Sequence, residues 1–159
     1  MANVTIITVG TLKEGYLREA VAEYKKRLNQ YAKVEEIELK EERIANEDDP
    51  SEILRALDRE GEKILSAIPR GSVSIALCVE GKEKSSEELA ALISSAIDSS
   101  GRITLVIGSS HGLADRVKRA CDERLSFSRL TFPHQLMRVV LMEALYRSFT
   151  IIHGKRYHK

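Results

Sequence analysis

The sequence predicts an α/β protein: a single domain with a largely parallel sheet flanked by helices. Three observations carry this reading. Five runs rich in Val, Ile and Thr alternate with segments of helical period. The two kinds of segment follow one another singly, β-α-β-α-β-α-β-α-β-α, the order of crossover units rather than of hairpins. No linker, internal repeat or low-complexity tract divides the chain, so residues 1–159 are expected to form one domain.

Each element has its own local warrant. Asn3 to Val9 (NVTIITV) is a buried first strand. From Glu14 to Tyr31, Leu17, Val21, Tyr24, Leu28 and Tyr31 recur at three-to-four spacing, the stripe of an amphipathic helix. Val34 to Leu39 is a second strand whose charged face suits a sheet edge. The acidic stretch Lys40 to Asp49 is a loop. Asp49-Pro50 then offers an N-cap with Pro at the first helical position, opening a helix through Ile53, Leu54, Leu57, Ile64, Leu65 and Ile68. Gly61 interrupts that helix at some cost. After the turn Pro69-Arg70-Gly71, Ser72 to Val79 is a nearly uncharged central strand. Ser85 and Glu88 fit a capping box for a helix with Leu89, Leu92, Ile93, Ala96 and Ile97 on its apolar face. Arg102 to Ile107 is another buried strand. A glycine turn, Gly108 to Gly112, leads to a short helix over Asp115 to Cys121, and Leu125 to Phe127 is a short apolar run. Pro133 opens the last helix, which carries Leu136, Val139, Val140, Leu141, Ala144 and Leu145 as far as Phe149.

Composition narrows the class. Hydrophobic residues make up 43% of the chain, too many for a disordered polymer. No apolar run approaches the roughly 18 residues of a membrane span. The opening MANVTIITVG lacks a basic leader region, so no signal peptide is expected. Cys78 and Cys121 lie far apart in apolar settings without a CxxC spacing, which suits buried thiols of a reducing, cytoplasmic compartment.

The net charge of +1 conceals an asymmetry. Twelve acids and four bases lie between Glu35 and Glu62; six Lys/Arg and one acid, Glu143, lie from Arg129 onward, with His134, His153 and His158. A basic, His-bearing end fits an anion-binding face, nucleic acid included; a solvated helix face with a frayed tail has the same composition.

Familiar motifs are missing. Gx4GK[ST], GxGxxG and HExxH do not occur, so ATP cradles and zincin helices are not expected. His153 and His158 have no neighbouring cysteine or carboxylate of ligand spacing, and no metal site is expected.

Three segments should instead meet beyond the carboxyl ends of the strands, where open α/β sheets bind ligands. They are Leu77 to Lys82, Gly108 to Gly112, and Leu125 to His134. Glycines let a ligand approach backbone N–H and C=O groups, which can read a neutral purine. The third segment mixes hydroxyls, aromatics, a cation and a histidine just before a helix N-terminus, a mixture that packing alone rarely needs.

Thr131-Phe132-Pro133-His134-Gln135-Leu136-Met137-Arg138 and the helix that follows, with Leu125 to Ser128 before it and the ending Tyr157-His158-Lys159, resemble the RlmH (YbeA) family of SPOUT-class methyltransferases. The resemblance runs from Val9-Gly10 through Glu60-Gly61-Glu62 to the last residue, and its specific part is the C-terminal third. It implies S-adenosylmethionine as methyl donor, a SPOUT-type fold with a C-terminal trefoil knot, and a homodimer. It further implies methylation at N3 of a pseudouridine in helix 69 of 23S rRNA, within the ribosome. By position, Leu77, Gly108, Phe127, Ser128, Arg129, Leu130, Thr131 and Phe132 would contact the cofactor. One departure is Ser109, where the family usually has a second glycine.

Methyl transfer to a ring nitrogen needs positioning and a deprotonated nucleophile, neither of which requires a metal. His134, Arg138, Tyr157 and His158 are the candidates for that role, the first two spaced i, i+4 on one helix. Residues 154–159 are too short and polar to pack a core, so the tail is expected at the active-site mouth. The last helix, apolar on more than one stripe, is expected to bury itself in the dimer. The competing readings are a non-catalytic RNA- or ribosome-binding α/β module and a nucleotide-binding redox enzyme.

Overall fold

The computed structural model describes all of residues 1–159. Its elements are β1 (Ala2–Val9), α1 (Gly15–Leu28), β2 (Ala32–Leu39), α2 (Pro50–Ala67), β3 (Val73–Glu83), α3 (Ser86–Ser100), β4 (Arg102–Ile107), α4 (Asp115–Ala120), β5 (Glu123–Ser126) and α5 (His134–Ile152). The five strands form one sheet in the order β2-β1-β4-β3-β5, every pair parallel. The α/β class, the element order and the edge position of β2 agree with the sequence reading.

Period-two alternation splits the core into two layers. Val4 and Ile6 of β1, Ile103, Leu105 and Ile107 of β4, and Ile75 of β3 join one cluster with Val21 and Leu28 of α1, Ile93 of α3 and Leu141, Leu145 and Phe149 of α5. Ile7, Val9, Ala76 and Val106 face the other way, onto Ile64 of α2 and Val117 and Cys121 of the α4 region. β1, β3 and β4 therefore carry apolar side chains on both faces, as buried parallel strands do.

Local signals act as read. Asp49 caps α2 by accepting the Ser51 N–H at 3.0 Å, with Pro50 at the first position. Ser85 and Glu88 form the reciprocal capping box of α3.

Boundaries shift where tertiary contacts decide. α1 stops at Leu28; Tyr31 sits in the turn behind it and stacks on Phe149 at 6.0 Å and on His153 at 4.7 Å. β5 begins at Glu123, because its partner β3 pairs from there. α5 runs three residues past Phe149, to Ile152. Gly61 is more than an interruption: a Cβ there would sit 3.0 Å from Cγ2 of Val117, so α2 and α4 cross closely at this point.

The largest departure is in β3. It pairs with β4 over Val73–Ala76 and with β5 up to Leu77, then Cys78–Gly81 bulges out before Lys82 and Glu83 pair with β5 again. This bulge lies at the carboxyl end of the sheet. No helix is long and apolar enough to cross a membrane.

Candidate functional site

β4, β3 and β5 are neighbours, so the segments leaving their carboxyl ends converge. They enclose a cavity of about 320 Å³. Seven of the eight residues expected to contact a cofactor line it: Leu77, Gly108, Phe127, Ser128, Leu130, Thr131 and Phe132. Arg129 is exposed and lies outside the lining, whereas Leu130, itself 73% exposed, borders the cavity at its rim.

Local chemistry shapes the walls. Ser126 Oγ donates to the Ser128 carbonyl at 2.9 Å, and Ser128 Oγ accepts the Leu130 N–H at 3.0 Å, so two hydroxyls fold this loop on itself. In the second loop the Gly112 N–H reaches the Ser109 carbonyl at 2.9 Å. A Cβ on Gly108 would lie 2.2 Å from the Gly112 carbonyl oxygen. The need for glycine at 108 is therefore met inside the loop itself, not first at a ligand. Gly81 is constrained the same way: its Cβ would meet the Leu125 backbone at 2.8 Å, so the β3 bulge closes directly onto β5. Ser109, the departure from the family pattern, causes no backbone strain, since no residue other than glycine has a positive φ.

Charge at the rim is arranged in pairs. Lys118 of α4 pairs with Glu80 of the bulge and holds that carboxyl below its ordinary range. His111 stands 3.6 Å from Glu47 of the acidic loop. Burial, reinforced by Glu80, pushes the Cys78 thiol up, so this cavity-lining thiol is poorly nucleophilic. No group of three or more His, Cys, Asp or Glu residues stands close enough to hold a metal ion.

Of the four catalytic candidates, one chain brings only His134 to the cavity. Arg138 is 5% exposed, and its guanidinium is taken up by β2, meeting Glu38 at 2.6 Å and Glu36 at 3.1 Å. Tyr157 and His158 do not line the cavity formed by their own chain. Contrary to the expectation for so short and polar a tail, they dock on α5: Tyr157 packs edge-on against Tyr146 at 4.7 Å and donates to Glu143 at 2.8 Å. His158 bridges Arg147 at 3.1 Å and Glu87 at 2.7 Å. The aromatic ring and paired polar groups supply what core packing does not.

Met137 and Lys118 also line the cavity and were not singled out in the sequence. Met137 lies one turn after His134, an i, i+3 relation that was available; Lys118 had no such signal. A second cavity of about 370 Å³ lies between α1, α3 and α5, with Phe127 in the walls of both.

Comparison with known proteins agrees with this architecture. A family model described as "Predicted SPOUT methyltransferase" matches residues 2–158. The chain is 50% identical over 158 residues to Ribosomal RNA large subunit methyltransferase H of Bacillus pumilus, with 99% of each chain covered. It is 51% identical over 155 residues to the protein of that name from Streptococcus agalactiae, covering 97% of this chain and 98% of the relative. Among solved structures, a probable methyltransferase from Bordetella pertussis Tohama I superposes with a TM-score of 0.61 at 15% identity, covering 93% of this chain and 95% of that one. A probable methylase family protein from Haemophilus influenzae Rd KW20 gives 0.53 at 14%, covering 98% and 70%. At such identities the two structures speak for the fold alone. On the family match and the full-length relatives, the chain belongs to the SPOUT methyltransferase family, among the relatives called Ribosomal RNA large subunit methyltransferase H.

Proposed function

We propose that the protein is an S-adenosylmethionine-dependent methyltransferase of large-subunit ribosomal RNA, acting at N3 of a pseudouridine in helix 69 of 23S rRNA. The observation that carries this is the cavity beyond β3, β4 and β5, where the three segments expected to hold the cofactor converge. Its size suits a small-molecule site, and its walls combine apolar side chains with backbone N–H and C=O groups. That donor set fits a neutral adenine.

Leu77, Gly108, Phe127, Ser128, Leu130, Thr131 and Phe132 would hold the cofactor, which when bound supplies an electrophilic methyl group on a sulfonium. The protein's own task is to orient the target base in line with that methyl and to manage its N–H proton. His134, which lines the cavity, would take or steady that proton. Arg138 is assigned instead to holding α5 on β2.

The substrate reading rests on the names of the relatives and on the basic C-terminal stretch, which suits RNA phosphate. The homodimer and knotted chain follow from the resemblance. Leu136, 39% exposed, with Val139 and Val140 only half-buried, leaves an apolar face on α5 for a second copy.

The test is transfer of labelled methyl from S-adenosylmethionine to ribosomes that lack the modification, with the labelled nucleotide identified by mass spectrometry. Label in a helix 69 pseudouridine is expected. Ribosome binding without transfer would favour the non-catalytic module, and binding of NAD in place of the methyl donor would favour the redox reading.

A further inference from the structure

S-adenosylmethionine and its product both end in an α-amino acid, and the carboxylate of that end needs a charged or donating partner as it leaves water. The apolar and backbone walls described above suit adenine and leave this group without one. Lys118 is the single Lys or Arg in the cavity wall, and Glu80 is the single carboxylate. Of the two histidines there, His111 stands 3.6 Å from Glu47, and His134 is the residue assigned to the target proton.

The backbone holds the lysine in place. Lys118 follows the fully buried Val117 on α4, and its carbonyl accepts an Nη1–H of Arg124 at 2.8 Å. Its side chain is 20% exposed, so much of the aliphatic stem is packed while the ammonium stays available. That ammonium meets the carboxylate of Glu80, on the Cys78–Gly81 bulge of β3, and stands 3.8 Å from Asp115 of its own helix. Both acids are open to water, Glu80 at 59% and Asp115 at 81% exposure. Pairs of this kind are weak. The cation is fixed and its carboxylate partners are exchangeable.

We propose that Lys118 anchors the carboxylate at the amino-acid end of the cofactor, with Glu80 occupying that place in the free protein and turning to water when the cofactor enters. This rests on the reading that the cavity takes S-adenosylmethionine. The Glu80 contact demonstrates that a carboxylate fits against this ammonium from the cavity wall. Replacing one carboxylate by another on the same ammonium conserves the charge pairing, and the displaced Glu80 is already largely hydrated. A clasp between α4 and the bulge would serve as well outside the cavity, whereas both partners here line the ligand space.

The experiment is calorimetric titration of three ligands into the parent and K118M, with thermal melting of each protein. The ligands are S-adenosylhomocysteine, its decarboxylated analogue, which keeps the amine, and methylthioadenosine, which lacks the amino-acid end. Methionine keeps the packed stem and the helix propensity of lysine. The parent is expected to prefer S-adenosylhomocysteine to the decarboxylated analogue by about tenfold, the contribution of one charge-assisted contact. In K118M that preference should vanish, with methylthioadenosine bound as by the parent. A parent that binds the two larger ligands equally, or a K118M that keeps the preference, overturns the proposal. So does a K118M that loses as much affinity for methylthioadenosine as for S-adenosylhomocysteine, because Lys118 would then shape the wall and not meet the carboxylate. If K118M does not fold, K118Q takes its place in the same comparison. A parent that gives no heat with S-adenosylhomocysteine or methylthioadenosine overturns the cofactor reading itself, whereas a parent that binds both without the preference overturns the role of Lys118 alone.

Discussion

Arg138 of α5 and Glu38 of β2 meet at 2.6 Å, and Glu36 closes on the same guanidinium at 3.1 Å. This pairing anchors α5 to the sheet edge one turn beyond His134. The arginine is 5% exposed, but the Glu38 side chain is 39% exposed, so water offsets part of what breaking a fully buried pair would cost. Arg138→Met is expected to destabilise by about 2 kcal/mol, lowering Tm by roughly 4–8 °C. An unchanged Tm with lost methyl transfer would return Arg138 to the catalytic machinery.

Gly108→Ala places a methyl group 2.2 Å from the Gly112 carbonyl oxygen, and backbone must move to admit it. Overpacking of this kind typically costs about 1–3 kcal/mol. Hydrogen exchange should report faster opening of Ser109 to Gly112 even without ligand. A parent-like exchange pattern combined with weak cofactor binding would put the clash at the ligand instead.

The Tyr157 phenol is pushed up to about 12, by burial first and then by its bond to Glu143. A raised folded-state pKa means that its stabilising contribution is complete below the unfolded value of about 10 and is lost as pH rises through about 12. Spectrophotometric titration should show one late-ionising tyrosine that Tyr157→Phe removes. Tyr157 docked in this way holds its proton at neutral pH and is no base there. Deleting Tyr157 to Lys159 removes the contacts to Tyr146, Glu143, Arg147 and Glu87 and is expected to lower Tm with cofactor affinity kept; an unchanged Tm would argue against the docked tail.

Burial raises both thiols. With Ellman's reagent near neutral pH, Cys121 should react only on unfolding, while Cys78 should react slowly and faster as pH climbs beyond the ordinary thiol range. Because Cys78 lines the cavity, S-adenosylhomocysteine should slow it further. Equal rates with and without ligand would argue against occupancy of this cavity.

What the sequence showed and what it hid follow from range. Strands, caps and the convergence of three segments were legible because period-two runs, Asp49-Pro50 and the Ser85–Glu88 box are local. The seven lining residues followed from the family resemblance and from strand ends. The pairing of Arg138 was not legible because its partner Glu38 lies 100 residues away, and an i, i+4 relation to His134 says nothing about which carboxylate claims the guanidinium. In the sequence the strand reads as ending at Val79, because the Cys78–Gly81 bulge and the renewed pairing of Lys82 and Glu83 are set by the register of β5. The tail looked unpackable by composition, yet its partners Glu143, Tyr146, Arg147 and Glu87 await it on other elements.

Calorimetric titration of the parent protein with S-adenosylhomocysteine, with NAD as the control, tests the central claim most directly. The account expects a saturating isotherm of one ligand per chain that is lost in Gly108→Ala, and no heat with NAD. No binding of S-adenosylhomocysteine, or binding indifferent to Gly108, would contradict the assignment of the cavity beyond β3, β4 and β5.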